Sequence, residues 1–509
     1  MNPAASQRDS NAQNAGLSSS MRPLWLFWGG VVGLGLLVRL YYFATGGGIH
    51  HADQHMQYVE PAYWYTWGNA WLPWEYQRGV RSWGLPASYG ALLEFADTMG
   101  WRGWATHRFL AFHNALLSLA VVPAAYRLGA AISTNPAANQ TRSGLALALW
   151  CAVFPPMVAF SPHTLSEVHG LVVTTWAFAF WAELRGSQEK RGPARERNMA
   201  LCLGVLIGVS VWLRFTLLAF FPVVFLDLLW RQRRVLGWTL LSFVGVILCM
   251  GALDALTWQY PFQSIIEYFR YNLIEDGASN HGVSPWYMYA ETLFVRRLGW
   301  ASLLLLLPFA WSFRRQRVWG TVALFALVAF SCIRHKEERF LLSMWPVFLA
   351  CAWLGSDDLI QRARGLLPQR GLLGRIVGSP DLLLVIQLLC VCGAGFAGAN
   401  EIRLHRQEGL FRAQDFVGQQ VDASGLLVDD RLHLSGGYTL LAKNIPLLQY
   451  RMARTKYPVF NYVAVYRDKK VQEMDRHPDF ERLRTFWDRQ IEKDVVVYRR
   501  KKPGSEDMP

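Results

Sequence analysis

Long apolar runs, separated by short polar and often basic stretches, fill the chain from Leu24 to Phe396. Runs of roughly 17 to 25 apolar residues cross about 30 Å of hydrocarbon as helices, and the pattern threads into about eleven crossings. They fall near Leu24–Phe43, His107–Leu128, Gly144–Phe160, Thr164–Glu183, a pair within Met199–Trp230, Val235–Leu253, Ala301–Phe313, Val318–Ile333, Phe340–Leu354 and Leu382–Phe396. The pair is required because Met199–Trp230 has basic residues at both ends, and one helix would carry them to opposite faces. A hairpin turning near Arg214 is predicted, of the kind that lines a cavity; a single long tilted helix is the alternative.

Composition agrees with a polytopic membrane protein: 509 residues, 52% hydrophobic, mean hydropathy +0.14 and 23 tryptophans. The net charge of +14 invites a nucleic-acid reading. The basic residues, however, concentrate between apolar runs, at Arg185–Arg197, Arg231–Arg234, Arg314–Arg317 and Arg362–Arg375, and in the last hundred residues, which argues for cytoplasmic loops and against a nucleic-acid partner. The seven cysteines lie in or beside apolar segments without a Cys-x-x-Cys pair, so neither a disulfide framework nor a zinc site is suggested.

The expected organisation is a disordered cytoplasmic tail (1–20), a transmembrane domain (21–398) with external loops at 44–106 and 254–296, and an external mixed α/β domain (399–509). Both loops are rich in Trp and Tyr, suited to helices lying in the interface plane. In the last domain, strands are expected around Phe460–Tyr466 and Val495–Tyr498, and Phe480–Asp494 reads as helix-compatible. This threading gathers the unusual polar residues onto one face.

Three constellations stand out there. The run His335-Lys336-Glu337-Glu338-Arg339-Phe340 puts five ionisable side chains at the mouth of two apolar segments. Lys336 and Arg339 suit a phosphate, oriented by Glu337 or Glu338, and His335 suits a phosphate or a leaving oxygen; a self-neutralising helix start is the plain alternative. Asp53, in His50-His51-Ala52-Asp53-Gln54-His55, offers a carboxylate able to deprotonate a hydroxyl. With His51 and His55 it also has the composition of a zinc or manganese site, or of a plain polar loop. Glu75, Arg78 and Arg81 among Trp74, Tyr76 and Trp83 combine forked phosphate donors with aromatic faces, although interface anchoring explains the same residues.

The chain resembles the membrane mannosyltransferases of the Alg9, Alg12 and PIG-B type, glycosyltransferase family 22, with the GT-C fold. Their first external loop carries a His-Pro-Asp-Glu-x-x-Gln-x-x-Glu-Pro pattern, matched by His51 through Pro61, with Ala52 in place of the proline and Gln54 in place of the second acid. The likeness continues through Trp74-Glu75-Tyr76, Arg81-Ser82, Asn280-His281-Gly282 and Pro285-Trp286-Tyr287, and is strongest at His335–Phe340. It implies an inverting transferase that takes mannose from a polyprenyl-phosphate mannose donor without a metal or other cofactor.

Asp53 is then the general base. Arg81, His335, Lys336 and Arg339 hold the departing lipid phosphate, and Glu60, Glu75, His281, Trp286, Glu337 and Glu338 position the acceptor or the cations. The implied acceptor is a lipid-linked glycan, a glycolipid or a cell-wall polymer. Short loops favour a bacterial inner-membrane enzyme facing the periplasm, with the endoplasmic reticulum membrane as the alternative. Another polyprenyl-linked sugar, or a transporter or flippase for such a lipid, are the competing functions.

Overall fold

The computed structural model describes residues 28–133, 137–186, 192–366, 379–399, 405–429, 432–450, 460–489 and 491–501. The tail expected at 1–20 and parts of the basic stretches 185–197 and 362–375 lie outside these residues. Among the described residues six helices are long and apolar enough to cross a membrane: Trp28–Thr45, Trp104–Ile132, Pro193–Leu213, Arg233–Thr257, Glu338–Arg364 and Asp381–Gly398. A seventh span is formed if Met288–Arg296 and Gly299–Ser312, bent by 109° at their junction, count as one. The expected eleven crossings are not reached on that criterion. Some remaining helices need not satisfy it, because neighbours shield them from lipid: Ser166–Arg185, which carries Glu167, Glu183 and Arg185, is buried along most of its length.

The hairpin predicted at Arg214 is present. The helix Pro193–Leu213 breaks at Arg214, whose backbone is extended (φ −160°, ψ 116°), and the chain returns through a 3-10 turn, Phe215–Phe220, and the helix Pro222–Arg231. Gln232 Nε2 donates to Leu184 O (2.8 Å) and Arg185 Nε to Asp227 Oδ2 (2.8 Å), closing the hairpin at the end it left from. Arg127 on Glu183 (2.6 Å), Arg142 on Asp357 (2.6 Å) and Gln316 on Ile132 O (3.1 Å) gather other basic patches at that same end. Leu240, Leu241, Val244 and Leu248 on one helix, and Val385, Ile386 and Leu389 on another, are exposed, which suits a bundle solvated by lipid. Arg39, buried in the first helix, is satisfied by Ser118 Oγ (2.8 Å) and the carbonyls of Gly35 and Ala152 (3.0 and 2.9 Å).

Beyond the last span the chain forms a five-stranded sheet, β1 (Leu426–Val428), β2 (Leu447–Gln449), β3 (Tyr462–Val465), β4 (Phe480–Asp488) and β5 (Lys493–Arg500), ordered β2-β1-β3-β5-β4. The first three strands run parallel; β5 is antiparallel to both β3 and β4. Phe480–Asp488, expected as helix, is therefore strand: it pairs with β5 as a hairpin, and Phe480 and Asp488 at its ends are buried while its middle alternates towards solvent.

This domain is fastened to the loop 44–106. Ile49 N donates to Arg406 O (2.9 Å), Trp104 N to Asp415 Oδ1 (2.9 Å), and both Thr439 N and Thr439 Oγ1 to Glu60 Oε1 (2.7 Å each). Gly437 has φ +57°, and a Cβ there would stand 2.2 Å from the Glu60 carboxyl carbon, so the approach requires glycine.

Candidate active site

The loop containing Asp53 leads into a π-helical turn, His55–Val59, and then the helix Glu60–Trp67. Opposite it, the segment before the 3-10 turn Glu338–Met344 is extended, with Glu337 at φ −136° and ψ 140°. In extended backbone successive side chains point to opposite sides. Glu337 accordingly points to the side of Arg339 and Asp53, whereas its neighbours Lys336 and Glu338 turn away to Ser284 and Arg297; His335 bridges the two, bonding Glu337 and Gly282 O.

Arg339, 1% exposed, is the hub. Its Nη2 donates to Asp53 Oδ2 (2.6 Å) and its Nε to Glu337 Oε2 (2.6 Å), and Glu167 Oε1 lies 3.3 Å from Nε. Its Nη1 is buried as well and has no hydrogen-bond partner. Glu337 Oε1 is 2.9 Å from His335 Nε2, and His51 Nδ1 is 3.2 Å from Asp53 Oδ1. The His281 ring stands edge-on to that of His335 at 6.0 Å and hydrogen-bonds Tyr271 through Nε2 (3.0 Å).

The electrostatics follow. Burial pushes the Asp53 carboxyl up, but the Arg339 guanidinium and His51 outweigh it and hold the group well below the usual carboxylate range. Glu337 behaves likewise: burial raises it, and Arg339 and His335 bring it far down. His335 is raised by its hydrogen bond to Glu337, and Glu75 is raised by burial.

Glu75 accepts from Gln57 Nε2 (2.8 Å) on the π-helical turn. Beside it a narrow cavity is lined by Tyr58, Tyr76, Arg81, Ser82, Trp212 and Arg214, among others. Arg81 Nε there is buried without a hydrogen-bond partner.

Several expected residues are placed elsewhere. The Lys336 ammonium binds the carbonyls of Ser284 (3.0 Å) and Ile333, and Glu338 takes two donors from Arg297 (2.9 and 2.6 Å), so both fasten the second loop and not the Asp53 cluster. Glu60 is spent on Thr439 of the C-terminal domain. Trp286 is 74% exposed, its ring against Tyr287. His55 turns to Gly436 O (2.6 Å), away from His51, which separates the two histidines of the suggested zinc or manganese site.

A ligand atom from each of His51, Asp53 and Glu337 does lie within 4.8 Å of the others, a spacing a divalent cation could use. Those carboxylates are paired with Arg339 and His335. Gln54, standing where the resembling family has a second acid, is 2% exposed and accepts His50 N (2.9 Å), so it belongs to the frame of the loop. The acids accompanying Asp53 come instead from Glu337 and from Glu167, the latter missed in the sequence because it reads as an ordinary charge in the first turn of a helix.

The Alg9-like mannosyltransferase family model matches residues 32–397, including the Asp53 loop and the whole of the His335–Phe340 run. The chain belongs to the Alg9-like mannosyltransferase family. Among curated members, GPI mannosyltransferase 3 of Yarrowia lipolytica is 27% identical over 58% of this chain and 56% of its own length. The alpha-1,2-mannosyltransferase ALG9 of Mus musculus is 24% identical over 60% and 50%. The chain thus spans about half the length of the curated relatives it matches.

Solved structures give the fold. ArnT from Cupriavidus metallidurans, bound to undecaprenyl phosphate, superposes with a TM-score of 0.57 at 12% identity, covering 94% of this chain and 98% of that one. The apo oligosaccharyltransferase of Archaeoglobus fulgidus gives 0.54 at 11% identity, covering 86% and 69%. The family's GT-C fold is thereby shared, C-terminal domain included in the alignment to ArnT.

Proposed function

We propose that the protein transfers mannose from a polyprenyl-phosphate mannose donor to a lipid-linked glycan, glycolipid or cell-wall acceptor. The observation that carries this reading is Asp53, a carboxylate a quarter exposed and held by Arg339 at the end of the bundle opposite the basic patches. Asp53 takes the proton of the acceptor hydroxyl as that oxygen bonds to the anomeric carbon. The bond from that carbon to the phosphate oxygen breaks, and polyprenyl phosphate leaves with the electron pair. A weakly basic carboxylate suffices, because the hydroxyl proton becomes strongly acidic once its oxygen is bonded to the sugar.

Arg81 in the cavity and His335 receive the phosphate, Arg339 lends its charge from behind Asp53 and Glu337, and His281 and Glu75 shape the acceptor side. No metal is needed in this scheme, since Arg339 supplies the positive charge. The donor class is supported by the names of relatives, one a probable Dol-P-Man:Man(7)GlcNAc(2)-PP-Dol alpha-1,6-mannosyltransferase of Schizosaccharomyces pombe, and by the undecaprenyl phosphate bound to ArnT. The site faces the periplasm of a bacterial inner membrane in the setting we favour, and the lumen of the endoplasmic reticulum in the alternative.

The test is transfer of radiolabelled mannose from synthetic polyprenyl-phosphate mannose to a lipid extract of the source by the purified protein. Transfer is expected. Its absence in folded protein would turn the reading to another polyprenyl-linked sugar, and then to a transporter.

A further inference from the structure

Glu167 is 1% exposed and sits behind Arg339, out of reach of any substrate. Its Oε1 nevertheless contacts two guanidinium groups, Arg214 Nη1 at 2.9 Å and Arg339 Nε at 3.3 Å. Both guanidiniums also lie against one aromatic ring, Phe340, with their central carbons 4.3 Å (Arg214) and 5.6 Å (Arg339) from its centroid. Two like charges are thus packed on one ring, with a single carboxylate between them.

The placement is built from both sides. Tyr58 OH donates to Ser166 Oγ (2.7 Å), and Ser166 Oγ to Glu167 Oε2 (3.2 Å), fixing the carboxylate from the first external loop. Arg214, 7% exposed, is delivered by the break that ends the helix Pro193–Leu213, and its Nε donates to Thr216 Oγ1 (3.2 Å).

We propose that Glu167 is a positioning residue for the transfer: by neutralising Arg214 it keeps the Arg339 guanidinium in the place from which it binds and aligns Asp53. Remove the negative charge, and Arg214 repels Arg339 across a poorly screened interior, displacing the guanidinium from its hydrogen-bonding place on Asp53 and Glu337. The inference rests on the transferase reading above. It differs from a merely structural role in one respect: the damage comes from an uncompensated Arg214, so deleting that charge as well should repair it.

The experiment measures steady-state mannose transfer by the full-length protein, donor concentration varied, for wild type, Glu167→Gln, Arg214→Gln and the double variant. Glu167→Gln should lower kcat by about 100-fold, the scale for displacing an aligned group by about 1 Å, with little change in the donor KM. The double variant should recover at least about tenfold of that loss, as coupled neighbours do.

A double variant no better than Glu167→Gln, or a Glu167→Gln enzyme of near wild-type kcat, overturns the proposal. If Glu167→Gln does not fold, judged by gel filtration, Glu167→Asp keeps the charge but withdraws it. A lowered kcat at unchanged KM then supports the positioning role, and wild-type kinetics overturn it. A wild type that transfers no mannose removes the transferase reading and this inference with it, whereas a transferring wild type beside an intact Glu167→Gln removes only the inference.

Discussion

Asp53 is held in its ionised form by Arg339 and His51 in spite of burial, and this fixes the direction of its pH dependence. A carboxyl whose folded-state pKa is depressed loses its charge only as pH falls through that depressed value, below the ordinary 3.8. Transfer should therefore show no acid limb from Asp53 across the weakly acidic range. His51→Ala, which removes one of the two stabilising partners, should move the limb to higher pH in initial-rate measurements. Asp53→Asn should keep the fold and reduce transfer by about 10² or more, the scale for a placed base; near-normal turnover would take Asp53 out of that role.

His335 has the opposite sign. Its hydrogen bond to Glu337 raises it above 6.5, so its protonated form is fully present below 6.5 and is lost as pH rises through the raised value. An alkaline limb should disappear in His335→Gln. The residue types of the site were legible in the sequence, and their directions were not. Lys336 and Glu338 sit in the same dense run as Glu337 and Arg339, and only the extended backbone at Glu337, which alternates their faces, separates those that meet Asp53 from those that bind Ser284 and Arg297. Glu167 gave no signal, since its partners are 47 and 172 positions away in the chain.

Among the elements, the C-terminal domain shows where periodicity misleads. The text FERLRTFWD has charges spaced as on a helix surface, yet it forms a strand because β5 offers a full ladder and one face of a hairpin may stay polar. The neighbouring Tyr462–Val465, buried at every position, has the continuous apolar character of a central strand and was readable as such. What the sequence did not show is that Glu60, adjacent to the Asp53 loop, reaches into this domain. Its carboxylate carries two hydrogen bonds from Thr439, and Gly437 leaves no room for a side chain between them.

Glu60→Ala leaves buried donors unpaired at a cost of about 1–3 kcal/mol. It should speed hydrogen exchange at the Thr439 amide and increase proteolysis after Arg406 while the membrane bundle remains intact. Gly437→Val should do the same more strongly, because it adds both the collision and the strain of a positive φ. Unchanged exchange at Thr439 in both variants would mean that the bond to Glu60 does not fasten the domain.

Over the whole molecule, charge distribution was a better guide than hydropathy. Apolar length, with Met199–Trp230 split by its basic ends, suggests about eleven crossings, but interior helices such as Ser166–Arg185 face protein on nearly every side, so their composition obeys packing and pairing and not the demands of lipid. The basic patches, by contrast, were assigned to one face from sequence, and contacts such as Arg127–Glu183 and Arg185–Asp227 bring them to one end of the bundle, with Asp53, His335 and Arg339 at the other.

If that end is cytoplasmic, as the excess of arginine predicts, then a membrane-impermeant thiol reagent added to intact cells should label Val283→Cys, beside the site, and Val421→Cys, in the C-terminal domain. Both positions are well exposed, at 67% and 98%. Arg234→Cys, at the basic end, should react only after the membrane is opened. All three belong in a background freed of the seven native cysteines, because Cys202, Cys249 and Cys332 are themselves exposed on the bundle. Labelling of Arg234→Cys in closed cells, with Val283→Cys protected, would place Asp53 on the cytoplasmic face. A lipid-linked donor could then meet it only after its sugar had been presented on that side, and the acceptor would have to be sought there as well.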